Sequence, residues 1–230
     1  MEKILIIGGN AAGLTAATRA LRIDPRLKIT VLEKTPHISY STCGIPYYFA
    51  NMVAPDGLIS YTPESFEKER GIKAHNNTRV EVIEPGRKRV TVVRTDTAER
   101  GEFAYDRLLI ATGVRARIPD IRGTDLKNVF TVNTLQDAIE AKSAIDAAET
   151  ISIVGAGYVG LEFAECLHRV GKKVHLFDRE LHVLPSIDGD IAQIIEYELQ
   201  RFGVKVSVGA KVLALVGNDG KVNGVKAASG

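Results

Sequence analysis

Ile4-Leu5-Ile6-Ile7-Gly8-Gly9-Asn10-Ala11-Ala12-Gly13 opens the chain, and Ile151-Ser152-Ile153-Val154-Gly155-Ala156-Gly157-Tyr158-Val159-Gly160 repeats its pattern in the second half. In both copies a short apolar run breaks at a glycine-rich turn, and a helical stretch follows, through Leu21 in the first and to about Val170 in the second. A second β-like run closes each copy: Ile29–Leu32 ending at Glu33, and Val174–Phe177 ending at Asp178. A strand, a crossover helix and a second strand make a βαβ unit, so the chain reads as α/β with parallel sheet pairing.

The second copy is a complete G-x-G-x-x-G. Gly155 permits the tight turn, Gly157 lets the backbone approach a pyrophosphate, and Gly160 lets the helix pack on the strand, with the helix N-terminus facing the phosphates. Asp178 lies 23 residues after Gly155, where an acid accepts hydrogen bonds from a ribose diol. A carboxylate there repels a 2′-phosphate and so favours NADH over NADPH, although Arg179 beside it offsets part of that repulsion. The first copy departs from the pattern, with Asn10 in the place of the second glycine, while Glu33 still closes the unit 25 residues after Gly8. The repetition predicts two nucleotide sites on two Rossmann-like dinucleotide-binding domains, divided at 1–149 and 150–230.

Composition bounds the rest. In 230 residues, 45% are hydrophobic and 25% charged, as in ordinary globular proteins. Thirty basic residues against 28 acidic ones leave a net charge of +2, which recruits neither nucleic acid nor an anionic membrane. No apolar run approaches the length of a spanning helix, and the apolar stretch after Met1 is too short for a signal peptide. Cys43 and Cys166 make neither a disulfide scaffold nor a four-cysteine metal site, so a reducing, cytoplasmic setting is expected. The five histidines show no metal-ligand spacing, and no metal is expected.

Between the copies, Thr62 as N-cap, Pro63 at the first helical position and Gly71 past the end bracket a short helix. Residues 78–83 and 88–94 alternate β-formers with charges around Glu84-Pro85-Gly86-Arg87, a hairpin signal. Arg107–Ile110 is a further apolar strand, Val114–Asn133 a connection, and Leu135–Ala148 a helix. After the second copy come an amphipathic helix at Asp190–Phe202, strands at Val204–Val208 and Val212–Val216, an Asn218-Asp219-Gly220 turn, and a last strand from Val222.

Two features admit more than one reading. Cys43 stands in Ser39-Tyr40-Ser41-Thr42-Cys43-Gly44-Ile45-Pro46-Tyr47-Tyr48, with polar and small residues before it. A thiol at a helix N-terminus is a better nucleophile, whereas the bland alternative is a packed structural cysteine. No second cysteine lies nearby, so a reactive Cys43 has to cycle through a mixed disulfide with a small thiol, or a sulfenic acid. Cys166 reads as a buried helix residue. Thr15, Arg19 and Arg22 fall on one face of the first helix, either a solvated face or a stripe that holds phosphates outside the nucleotide cleft.

Taken together, these residues resemble the pyridine nucleotide-disulfide oxidoreductases. Ser-x-x-x-Cys-Gly-x-Pro-Tyr at Ser39–Tyr47 is most similar to the CoA-disulfide reductase branch; related NADH oxidases and peroxidases share the Ser-x-x-x-Cys-Gly but usually lack the Pro-Tyr. The resemblance implies FAD held at Gly8, Asn10, Ala11, Gly13, Glu33 and Lys34, with the Val80 backbone on the adenine and Ala111-Thr112-Gly113 close to the flavin. It implies NAD(P)H at Gly155–Gly160, Glu162 and Asp178, and Tyr158 covering the flavin until nicotinamide displaces it. It makes Cys43 the redox thiol that forms a mixed disulfide with coenzyme A, and Thr15, Arg19, Arg22, Ser39 and Thr42 the coenzyme A contacts. The expected substrate is then CoA disulfide, or a CoA persulfide or polysulfide. The alternatives are an NADH oxidase or peroxidase working through a Cys43 sulfenic acid, and a non-catalytic nucleotide-binding fragment.

Family members run to roughly twice this length. The resemblance therefore implies that the rest of the NAD domain, a later Gly-Asp segment holding the flavin and a C-terminal dimerisation domain, through which the longer proteins form homodimers, lie outside these residues. An exposed apolar sheet edge is expected where returning strands would pair. Pro119-Asp120-Ile121-Arg122-Gly123 also departs from the usual Pro-x-Ile-Pro-Gly.

Overall fold

A computed structural model describes residues 1–228. The chain forms two compact units, Met1–Thr42 with Pro55–Arg115, and Cys43–Ala54 with Ala116–Gly230.

The first unit is built on β1 (Lys3–Ile7), α1 (Ala11–Ile23) and β2 (Lys28–Leu32), the βαβ unit expected from the repeat. β1 lies between β2 and β7 (Arg107–Ile110), and β2 continues to β3 (Lys73–His75), all parallel. Leu5, Ile6, Val31 and Leu32 are almost wholly buried, so these strands carry apolar residues toward both faces, as a covered parallel sheet requires. One core gathers Ile6, Leu14, Ala17, Ile29, Val31, Phe66 and Ile72. The other joins Leu5 and Leu32 to Val90, Val92 and Tyr105. These last three belong to or adjoin an antiparallel meander of β4 (Thr78–Glu84), β5 (Arg89–Arg94) and β6 (Arg100–Ala104).

The helix expected from Thr62 to Gly71 is α3 (Pro63–Arg70). Thr62 and Ser65 form a reciprocal capping box, and Gly71 takes a left-handed φ of 68° at its end. β7 is the last strand of its sheet among the described residues, and Leu109 and Ile110 are exposed there.

In the second unit β8 (Thr150–Val154), α5 (Tyr158–Arg169) and β9 (Lys173–Phe177) repeat the βαβ arrangement, and β10 (Lys205–Ser207) extends the parallel sheet beyond β9. α6 (Gly189–Arg201) starts one residue before the expected Asp190. β11 (Lys211–Asn218) and β12 (Lys221–Ala228) form a hairpin around Asp219-Gly220. The connection leans on that hairpin: Leu215 N–H donates to Arg122 O at 2.8 Å, and Val222 N–H to Lys127 O at 3.0 Å. Gly123 has φ +90°, and a Cβ there would stand 2.2 Å from Leu215 O, so no other residue fits.

The compact units do not divide at 149/150. Among the described residues the first sheet gains no further strand once β7 ends at Ile110, and α4 (Leu135–Ala147) packs with the second unit. So does the Cys43–Ala54 segment, which carries a short α2 (Ile45–Phe49).

Candidate functional site

The order β3-β2-β1-β7 puts a topological switch at β1, because the chain leaves β1 for β2 on one side and returns as β7 on the other. Ligands of open α/β sheets bind at the carboxyl ends of the strands flanking such a point. Two predicted segments end there. Gly8 follows β1 with φ +119°, and its N–H donates to Leu32 O at 2.8 Å. Ala111 follows β7, and its N–H donates to Ile7 O at 2.8 Å. A Cβ on Gly8 would stand 2.1 Å from Ala111 O, so the two loops meet backbone to backbone. Thr112 and Gly113 beyond it are exposed.

Gly13 begins the packing of α1 on this turn, where a Cβ would stand 1.9 Å from Gly8 O. Glu33 ends β2 and returns to the loop: its Oε2 accepts from Gly9 N–H at 2.8 Å, and its Oε1 accepts from the N–H and hydroxyl of Thr35, both at 2.9 Å. Asn10 is the N-cap of α1 with extended backbone, and its side chain makes no capping bond. The first-turn amides of α1, beside exposed Ala11, therefore keep their donors for a ligand. Lys34 is exposed next to Glu33. Val80 pairs with Val92 beside a bulge between Val80 and Val82, the kind of irregularity that re-aims backbone groups.

The second unit repeats the main contacts of this geometry. Gly155 has φ +112°, and its N–H donates to Phe177 O at 2.8 Å. A Cβ on Gly160 would stand 1.9 Å from Gly155 O. Asp178 Oδ2 accepts from Ala156 N–H at 2.6 Å, and Oδ1 accepts from Glu180 N–H at 2.9 Å. Gly157 caps α5, and nothing lies within 4 Å of where its Cβ would be, so the space before the helix is open. Tyr158 is 64% exposed at the first turn, and Glu162 is exposed one turn on. Arg179 is engaged with Glu180 at 3.0 Å. One difference remains: β8 pairs only with β9 among the described residues, so this loop has no counterpart of Ala111–Gly113.

Cys43 is exposed, in a 3-10 turn over Thr42–Gly44 that leads into α2. Cys166 is buried on α5, and burial, with Glu165 beside it, pushes its thiol above the ordinary range. The two cysteines thus divide into an accessible and a structural one. Ser39 sits at φ 49° and is held on both sides: its N–H donates to Gly9 O at 2.9 Å, and its O accepts from Ser60 N–H at 2.7 Å. Thr42 is exposed. Thr15, Arg19 and Arg22 are exposed on α1, whose other face buries Gly13, Leu14 and Ala17. Neither Arg19 nor Arg22 forms an ion pair among the described residues.

Gly8, Gly13, Glu33, Ser39 and Ala111 are thus linked in one unit, and Gly155, Gly157, Gly160 and Asp178 in the other. The amides of Gly9 and Ala156 and the hydroxyl of Thr35, which fix the two acids, carry no motif and are absent from the sequence reading. Among the described residues no three histidine, cysteine, aspartate or glutamate side chains cluster as metal ligands, and no helix is long and apolar enough to cross a membrane.

Residues 2–230 match the family model described as pyridine nucleotide-disulphide oxidoreductase. The chain belongs to that family. The NAD(P)H coenzyme A polysulfide/persulfide reductase of Pyrococcus horikoshii is 37% identical over 203 residues, 87% of this chain and 45% of that protein. The coenzyme A disulfide reductase of Staphylococcus haemolyticus is 33% identical over 202 residues, 86% of this chain and 45% of that protein. Among solved structures, the water-forming NADH oxidase of Lactobacillus brevis bound to NADH superposes with a TM-score of 0.91 at 30% identity, covering 99% of this chain and 50% of that one. The chain spans about half the length of the relatives it matches. That superposition agrees with the parallel α/β architecture described above.

Proposed function

We propose that this chain carries the FAD- and NAD(P)H-binding parts of a reductase for coenzyme A disulfide, or for a coenzyme A persulfide or polysulfide. The observation that carries the reading is the combination of two matched glycine loops, each closed by its own acid, with an exposed cysteine in Ser39-x-x-x-Cys43-Gly44-x-Pro46-Tyr47. The first loop suits a dinucleotide because its turn is open at Ala11, its helix amides are uncapped and its acid is already oriented. Gly8, Asn10, Ala11 and Gly13 bind the pyrophosphate of FAD, Glu33 the ribose, Lys34 and the Val80 backbone the adenosine end, and Ala111–Gly113 the flavin end. Gly155, Gly157 and Gly160 bind the pyrophosphate of NAD(P)H, with Glu162 in the first turns of α5. Asp178 accepts from the ribose diol and repels a 2′-phosphate, and with Arg179 drawn to Glu180 the preference is for NADH. Tyr158 is the side chain that moves aside for nicotinamide.

FAD, when bound, relays two electrons from NAD(P)H to sulfur. The Cys43 thiolate attacks one sulfur of CoA disulfide, the substrate S–S bond breaks, and one coenzyme A leaves as a thiolate. The other stays as a Cys43–S–S–CoA mixed disulfide until two electrons and a proton release it and restore the Cys43 thiolate. Arg19 and Arg22, with Thr15, Ser39 and Thr42, hold the phosphates and pantetheine of coenzyme A. A reducing cytoplasm suits the exposed thiol, and a homodimer is the assembly expected of the longer proteins.

Cys43→Ser tests the reading. NADH-dependent reduction of CoA disulfide is expected to disappear while bound flavin persists; unchanged reduction would sink the thiol mechanism. The Lactobacillus brevis neighbour supports a second reading, in which Cys43 cycles through a sulfenic acid. Oxygen or peroxide consumption without coenzyme A distinguishes it.

A further inference from the structure

We propose that Lys142 is a positioning residue for the Cys43 thiol, acting through the helix that follows it. The inference rests on the reading of Cys43 as the redox thiol. α2 has five residues, Ile45–Phe49, too few to hold a helix by its own hydrogen bonds. Its end closes as a Schellman turn: Asn51 N–H donates to Tyr48 O at 3.1 Å, and Met52 N–H to Tyr47 O at 3.0 Å. Asn51 takes the left-handed position at φ 57°, where glycine would be less strained. What asparagine adds is an acceptor. Its Oδ1 receives a hydrogen bond from Lys142 Nζ at 2.7 Å.

The same ammonium donates to Asp146, one turn along α4, at 2.6 and 2.5 Å to its two oxygens, and lies 5.5 Å from the centre of the Tyr48 ring. Only 13% of the Lys142 side chain is exposed. Asp146 balances the charge within α4, leaving a donor and the cation's field to grip both Tyr48 and Asn51 of the α2 segment. On its other contact Phe49 is fully buried, with its ring 5.4 Å from that of Phe163 on α5. α5 is the helix that begins at the Gly155–Gly160 loop. The segment that starts at Cys43 is therefore moored to α4 by an ammonium and to α5 by an aromatic pair, with only buried Gly44 between the thiol and α2. Disulfide exchange needs its sulfur presented in one orientation, and a loosened α2 would give the thiol several.

The test uses the 230-residue chain carrying Lys142→Met or Lys142→Arg. Amide exchange is followed by mass spectrometry, and iodoacetamide alkylation of Cys43 is located by peptide mapping across a range of pH. In Lys142→Met the Asn51 and Met52 amides are expected to exchange about tenfold faster, the equivalent of about 1.4 kcal/mol. The Cys43 pH–rate profile is expected to move, α4 amides to stay unchanged, and Lys142→Arg to restore both readouts. Should the methionine variant fold poorly, Asn51→Gly removes the acceptor while relieving the strain of the left-handed position, and Met52 exchange that is nonetheless faster than in wild type is the expected result. Wild-type exchange and a wild-type profile in Lys142→Met would overturn the proposal. So would uniform acceleration across the second unit, which would make Lys142 a general stabiliser. Failure of the redox reading has a separate signature: CoA disulfide reduction that survives Cys43→Ser while the Lys142 effects stand.

Discussion

Glu33 and Asp178 face the same local problem. Each ends a buried strand and accepts the N–H of the second residue of its glycine loop, Gly9 or Ala156, which stiffens the loop and aims the carboxylate at its mouth. Their positions were legible because spacing from the glycine is set by the length of a βαβ unit. Their partners were not, since backbone amides leave no trace in residue type. If Asp178 holds the ribose as proposed, Asp178→Ala removes the repulsion and the ribose acceptor together, so NADH affinity is expected to fall and the NADPH:NADH affinity ratio to rise by about tenfold or more, read by titration of both nucleotides. The cysteines differ for an equally local reason. Cys43 is exposed, while Cys166 is buried and its thiol pushed up. Iodoacetamide is expected to label Cys43 in the native chain and Cys166 only after unfolding, which peptide mapping checks. Equal native labelling of both would contradict the assignment.

At the scale of elements, the two loops depend on glycines that bring helix to strand. Gly13→Ala drives a Cβ to within 1.9 Å of Gly8 O, a backbone atom with no freedom to yield. It is expected to cost about 1–3 kcal/mol in urea denaturation and to weaken flavin retention. Helices with caps, such as α3, and strands with apolar runs, such as β1 and β8, were legible because their signals are local. β3 and β6 were not. Arg100–Ala104 buries little and exists by pairing with β5, a nonlocal cause that no window of sequence carries.

The sheets also set a pH response. His175 on β9, within 2.9 Å of Ser207 Oγ, is held below its ordinary 6.5 by burial and then by Lys205. His75 on β3 is lowered by burial, then by Lys73 and Arg94. The unfolded chain takes up these protons first as pH falls, so the stability they confer is complete above 6.5 and is lost as pH drops through the window below it. Melting temperature is expected to decline between about pH 7 and pH 5, with a shallower slope in His175→Gln.

At the scale of the whole molecule, the repetition of one βαβ unit is the feature from which everything else follows, and it was visible as two apolar-glycine patterns. What the sequence hid was allegiance. Cys43–Ala54 lies between two stretches of the first unit yet packs with the second, because Phe49, Tyr48 and Asn51 find their partners on α4 and α5. Which unit a loop joins is decided by contacts made a hundred residues away along the chain, and periodicity does not report them.

The most direct test is the visible absorption spectrum of the 230-residue chain, incubated with FAD, freed of unbound cofactor and then treated with NADH without oxygen. If both loops bind as proposed and communicate with Cys43, the protein will carry the band of an oxidised flavin. NADH will bleach it, and a long-wavelength thiolate-to-flavin band will appear in wild type but not in Cys43→Ser. A colourless protein, or a flavin that NADH leaves oxidised, would contradict the proposal that these residues hold a working pair of nucleotide sites.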